Sequence, residues 1–211
     1  MERLICLAVG YVFGMFQTGY FYGKMNHIDI RNFGSGNAGT TNTLRTLGWK
    51  AGAITFVGDC LKCVLAVAIV KVLFAQSSTV DLYAMYAGLG VVLGHNYPCY
   101  LGFKGGKGIA ATAGLVLATN PVMFLSIATL FILIVVITKY VSLGSLGTMI
   151  LFAIEVFAYG CTGGFALAYP ELIELYAITL VLVGLAFWRH RANIKRLMSG
   201  TENKMKFGKQ K

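Results

Sequence analysis

Phe103-Lys104-Gly105-Gly106-Lys107-Gly108 places two lysines and three glycines between two long apolar stretches. Glycines leave backbone N–H groups open to close approach by a ligand. The lysines add positive charge, and a helix starting just beyond would add the positive end of its dipole. This is chemistry for holding a phosphate. The run is not a nucleotide P-loop, since GxxxxGK[ST] would require glycine at Leu101 and a hydroxyl at Gly108. A positively charged membrane anchor explains the lysines and leaves the three glycines unexplained.

Gly34-Ser35-Gly36-Asn37-Ala38-Gly39 matches GxGxxG, with Asp59 20 residues beyond Gly39. The context excludes a dinucleotide fingerprint: no strand precedes, no βαβ unit fits, and Asp59 falls in an apolar stretch. What remains is a loop whose glycines alternate with the donors Ser35, Asn37, Thr40, Thr41 and Asn42, with Arg45 close behind. Further on, His190-Arg191-Ala192-Asn193-Ile194-Lys195-Arg196 opens a basic segment. Helical spacing puts Arg189, Asn193 and Arg196 on one face, with His190 near Asn193. Attraction to anionic lipid explains the cations but not His190 or Asn193. Ser142, near Lys139, can cap a helix or meet a ligand.

Other polar residues have plainer readings. His95 cannot be the base of an H-x4-D acyltransferase motif, because Tyr100 holds the aspartate position. It is either a wall of a site or an interfacial polar residue. Asp59 and Lys62, three residues apart in an apolar stretch, are expected to pair. Glu155 stands alone and is the feature that best fits a transporter. Cys60 and Cys63 form a CxxC without a second pair or histidine, so they read as buried hydrophobes rather than a zinc or redox site.

The scaffold follows from composition. Of 211 residues, 57% are hydrophobic and 12% charged, with mean hydropathy +0.71; soluble domains carry about 25% charged residues. The chain reads as all-α, a polytopic membrane helix bundle forming one domain over 1–211, with 199–211 as a basic tail. Apolar segments cover 4–21, 53–75, 82–97, 109–119, 121–140, 143–159 and 172–188. As one helix, 109–140 would run about 48 Å against a hydrocarbon core of about 30 Å. Asn120-Pro121 divides it, giving seven spans. Segment 4–21 lacks a small-residue cleavage site and reads as the first span. Seven spans put all 18 basic residues except Arg3, Lys62 and Lys71 on one side. That side is then cytosolic, with the N-terminus outside and the C-terminus inside. The clusters at 34–42, 94–108, 139–145 and 190–204 all converge on it. No aromatic-basic nucleic-acid motif and no internal repeat is present.

GSGNAGTTN at 34–42, GHNYPCYLGFKGGKG at 94–108, KYVSL at 139–143 and HRANIKRLMSGTENK at 190–204 stand in order. Together they closely resemble the bacterial membrane glycerol-3-phosphate acyltransferases that use acyl phosphate, the PlsY family. The resemblance covers essentially the whole chain. Thr40 and Cys63 depart from the family pattern, without removing a polar site residue. The resemblance implies acyl transfer from acyl phosphate to the sn-1 hydroxyl of glycerol 3-phosphate, giving 1-acyl-glycerol 3-phosphate and phosphate. It implies the first committed step of phospholipid synthesis, at the cytosolic face of the bacterial cytoplasmic membrane, with no metal or cofactor. Partners are these two small molecules and membrane lipid. Ser35, Lys104, His190 and Asn193 are the expected catalytic residues. Ser35, Gly36, Asn37, Thr41 and the Gly105, Gly106, Lys107 and Gly108 backbone are expected around the acyl-phosphate phosphoryl group, and Asn42 is expected to bind substrate. Arg45, Lys104, Ser142, His190 and Asn193 are expected around glycerol 3-phosphate. The base is His190 or a substrate phosphate oxygen. The rival is a transporter of an organic phosphate.

Overall fold

The computed structural model describes residues 1–205. Lys206, Lys209 and Lys211 of the expected basic tail lie outside the described residues. Among the described residues the regular structure is helical, with no strand. The helices are α1 (Glu2–Met15), α2 (Thr18–Met25), α3 (Thr40–Leu47), α4 (Trp49–Leu73), α5 (Val80–Asn96), α6 (Ile109–Thr119), α7 (Pro121–Thr138), α8 (Val141–Cys161), α9 (Tyr169–Arg189) and α10 (Arg191–Met198). Among the described residues five segments are, by length and composition, long and apolar enough to cross a membrane: Glu2–Met25, Trp49–Leu73, Pro121–Thr138, Val141–Cys161 and Tyr169–Arg189. α5 has 17 residues and α6 only 11, against about 20 for a full span.

The division at Asn120-Pro121 occurs as the sequence predicts. Asn120 Oδ1 accepts from the N–H groups of Val122 and Met123 at 3.1 Å each, and Pro121 opens α7. The first span is different. The sequence reads segment 4–21 as one span, but Phe16 and Gln17 are extended and separate α1 from α2. The break releases backbone carbonyls in an apolar setting, where an unmet group costs several kcal/mol. Two buried side chains supply the donors. Gln17 Nε2 donates to Gly14 O at 3.2 Å and His95 O at 3.1 Å. Lys62 Nζ donates to Gly14 O at 3.2 Å and Phe16 O at 2.6 Å.

α1 and α5 pack backbone to backbone through two glycine pairs. Side chains at Gly10 and Gly14 would run into the backbone of Ala87 and Val91, and those at Gly90 and Gly94 into Leu7 and Tyr11. In lipid, such close approach replaces the hydrophobic drive that water supplies elsewhere. Val67, Leu82, Val91, Leu115, Leu175 and Leu182 form the fully buried centre. α7 exposes Leu125, Ile132, Leu133, Val136 and Ile137, an apolar face suited to lipid.

Candidate active site

A cavity of about 680 Å³ opens among α3, α4, α6, α7, α8 and the α9–α10 junction. Its polar wall holds Ser35, Asn37, Thr40, Thr41, Arg45, Lys107, Gly108, Ser142, His190, Asn193, Arg196 and Glu202. Its apolar wall includes Val116, Phe124, Ile127, Phe131, Val135 and Phe152. One void therefore joins hydrogen-bonding and charged groups to a greasy groove.

The Lys104–Gly108 loop is docked on the end of α5. Gly105 N–H donates to Asn96 O at 3.2 Å and Gly106 N–H to His95 O at 2.9 Å. Arg189 clamps the loop from outside: Nη2 donates to Gly105 O at 2.9 Å and Gly106 O at 2.8 Å, and Nε to Gly106 O at 3.0 Å. Gly106 lies against the His95 ring so closely that a Cβ would overlap it. Gly108 has φ +85°, a conformation glycine adopts without strain. The expected phosphate cradle is thereby narrowed. The Gly105 and Gly106 amides are already engaged, while Gly108 and the first turn of α6, through Ile109 and Ala110, line the cavity. Lys104, expected at the centre of the chemistry, is exposed and does not line the cavity. Lys107 does.

Lys107 Nζ donates to Asn193 Oδ1 at 2.5 Å. Asn193 Nδ2 donates to Glu202 Oε1 at 2.9 Å, and Arg196 Nε to Glu202 Oε2 at 2.8 Å. Arg45 Nη2 reaches back to Asn203 O at 3.2 Å. Burial lowers the Lys107 ammonium to about 8, with Glu202 opposing and Arg196, Arg189 and Arg45 adding to the fall. Burial also lowers the Arg45 pKa. His190 Nδ1 sits 2.8 Å from Ala186 O. A carbonyl only accepts, so Nδ1 carries the proton and Nε2 keeps its lone pair. Burial, and after it Lys107, push this imidazole down to about 4.

The first glycine loop folds on itself. Asn42 Nδ2 donates to Ile30 O at 3.0 Å and Phe33 O at 2.9 Å, while Oδ1 accepts from Ser35 N–H at 2.8 Å. Asn42, expected to bind ligand, lines the cavity, and its side chain also shapes the loop. Gly36 N–H is bonded to Phe33 O at 3.0 Å, and Gly36 does not line the cavity. Ser35, Asn37, Thr41, Asn42, Arg45, Lys107, Gly108, Ser142, His190 and Asn193 do come together around it. Among the described residues Ser142 Oγ and Thr40 Oγ1 are buried without a partner. Glu202 is not singled out from the sequence, and Arg189 is read there only as sharing a helix face with Asn193 and Arg196, not as the clamp on the glycine loop. Glu202 had a signal, being the only acid after Glu174. Glu155 contacts Ser126 in a separate pocket with Tyr159 and Thr162. Among the described residues no group of three or more His, Cys, Asp or Glu is placed to hold a metal.

Helical architecture, lipid-suited apolar faces and a cavity with a basic wall and an apolar wall define a helical membrane protein with an amphipathic candidate site. The comparisons give the family. A family model described as glycerol-3-phosphate acyltransferase matches residues 4–200. The glycerol-3-phosphate acyltransferase of Clostridioides difficile (strain 630) is 46% identical over 204 residues, covering 96% of this chain and 95% of the relative. That of Alkaliphilus metalliredigens (strain QYMF) is 43% identical over 206 residues, covering 97% of each. The crystal structure of PlsY (YgiH), an integral membrane glycerol 3-phosphate acyltransferase, in its glycerol 3-phosphate form superposes with TM-score 0.85 at 33% identity, over 98% of this chain and 96% of that one. Its lysophosphatidic acid form gives TM-score 0.83 at 32% identity, with the same coverage. The chain belongs to the glycerol-3-phosphate acyltransferase family, in its PlsY branch, and is an acyltransferase.

Proposed function

We propose that the chain moves an acyl group from acyl phosphate to the sn-1 hydroxyl of glycerol 3-phosphate, releasing phosphate. The work would be done at the cytosolic face of the bacterial cytoplasmic membrane, in a seven-span chain with its N-terminus outside. The observation that carries this reading is a cavity whose basic wall adjoins an apolar groove along α6, α7 and α8. Phosphate fits the one and an acyl chain the other. The family's name and the ligands in the PlsY crystal forms support the acceptor and product classes; the charge asymmetry supports the orientation.

Acyl phosphate is a mixed anhydride and already activated, so no protein nucleophile is needed. The acceptor oxygen attacks the acyl carbon, the C=O electrons move to oxygen, and collapse expels phosphate with the C–O electron pair. Lys107, Arg45 and Arg196 hold the phosphates, with the Gly108 N–H and the start of α6. Aligning both reactants lowers the barrier by up to about 7–11 kcal/mol. His190 Nε2 accepts from the acceptor hydroxyl and Ser142 Oγ helps to orient the same molecule. A base near 4 is weaker than a phosphate whose second pKa is about 6. The proton therefore ends on a phosphate oxygen, with His190 orienting the hydroxyl.

The test mixes purified protein in detergent with both substrates and measures phosphate release. Release that requires both supports transfer; a folded protein releasing none refutes it.

A further inference from the structure

We propose that His95 is a substrate-contacting hydrogen-bond donor, its Nε2–H held toward the acyl carbonyl oxygen by the buried Asp59–Lys62 pair. This rests on the acyl-transfer reading above. His95 is 2% exposed and lines the cavity beside Asp59. Its Nδ1 lies 2.8 Å from Lys62 Nζ. Lys62 also donates to Phe16 O and to Asp59 Oδ1, the latter at 2.9 Å. An ammonium has donors and no acceptor. Two N–H groups cannot face each other at that distance, so Nδ1 accepts and the proton sits on Nε2. Among the described residues no hydrogen bond is formed by Nε2, whose edge of the ring lies against Gly106, so its N–H reaches the cavity past that glycine.

The two cavity histidines are thus fixed in opposite tautomers. His190 offers a lone pair through Ala186 O, whereas His95 offers a donor through Lys62. The walls also differ in charge. Lys107, Arg45 and Arg196 outweigh Glu202 on one side, while Asp59 and Lys62 cancel beneath His95. Phosphates are drawn to the cationic wall. The neutral donor is left to the carbonyl oxygen, which gains charge only as the tetrahedral intermediate forms. Such a donor contributes to the transition state more than to the bound substrate.

The geometry separates substitutions that are otherwise similar. His95→Asn keeps an acceptor near the Nδ1 position and removes the cavity donor. His95→Gln places an amide N–H near the Nε2 position. In the two-substrate phosphate-release assay, His95→Asn should lose about 100- to 1,000-fold in kcat with KM for glycerol 3-phosphate unchanged. His95→Gln should keep at least about a tenth of kcat. Independently of turnover, nitrogen-15 spectra of histidine-labelled wild type should show His95 with a bare Nδ1 and a protonated Nε2, assigned by its loss in His95→Asn. Lys62→Met should abolish that fixed distribution. Full kcat in folded His95→Asn, or a protonated Nδ1 in wild type, overturns the proposal. A wild type inactive with both substrates, yet showing the expected tautomer, overturns the acyl-transfer reading instead.

Discussion

Removing the Lys107 charge is the most direct probe of the basic wall. Lys107→Met keeps the aliphatic stem and deletes the ammonium that donates to Asn193. At about 4 Å and an effective dielectric of about 20, the ammonium and one phosphate charge attract by about 4 kcal/mol before desolvation is subtracted. A charge-assisted hydrogen bond is worth about 1.5–3 kcal/mol net, so kcat/KM for glycerol 3-phosphate should fall by about 10- to 150-fold. Arg45 and Arg196 remain in the wall, which places the loss near the lower figure. The pH profile adds a second readout. With Lys107 near 8, the charge is present below that pH and is lost as pH rises through it. Wild-type kcat/KM should therefore decline above about pH 8. In Lys107→Arg the guanidinium stays charged, so the decline should move beyond pH 10 even if the baseline drops. Steady-state phosphate release between pH 6 and 10 measures both. Unchanged kcat/KM in Lys107→Met, or the same alkaline decline in Lys107→Arg, would refute the assignment of this lysine to phosphate.

Asn42→Ala removes three internal hydrogen bonds from the first glycine loop and should destabilise the protein by about 2–4 kcal/mol, read as a lowered Tm in detergent. Gly106→Ala drives a methyl into the His95 ring and should impair turnover, whereas Gly184→Ala, with open space around it, should be neutral or stabilising by up to about 1 kcal/mol; equal activities would show the loop to be pliable. Gly94→Leu wedges α5 off the Tyr11 backbone and should cost at least about 1–3 kcal/mol, visible in melting curves. His190→Gln keeps a polar group near the hydroxyl and should lose less than about 100-fold in kcat; a loss of 100- to 10,000-fold would identify His190 as the general base.

Legibility in the sequence followed the range of the forces involved. Asn120-Pro121 could be read because its cap and its proline act within three residues. Both glycine loops could be read because donors and glycines crowd at the ends of apolar segments. The break at Phe16 and Gln17 could not, since no glycine or proline occupies it and its carbonyls are met by Lys62 and Gln17. Lys62 is remote in sequence, though Gln17 in an otherwise apolar run was a trace of it. The choice between Lys104 and Lys107 depended on the loop's docking to Asn96, His95 and Arg189, which reach it across the fold. Glu202 enters the site only because the chain turns after α10, with Gly200 at φ +68°.

Lys62 ties the scaffold to the site. A charge in an apolar bundle is costly unless its donors are satisfied, and here they are divided between two duties. Phe16 O needs a donor because α1 ends early, while Gly14 O is shared with Gln17; Asp59 Oδ1 supplies the counter-charge and His95 Nδ1 the third close acceptor. A continuous first helix would have satisfied those carbonyls itself, and a lysine would then have been an uncompensated liability. With the break, one ammonium both completes the backbone of α1 and fixes the ring on which Gly106 rests. Lys62→Met should therefore affect stability and turnover together, whereas Lys107→Met should affect turnover alone.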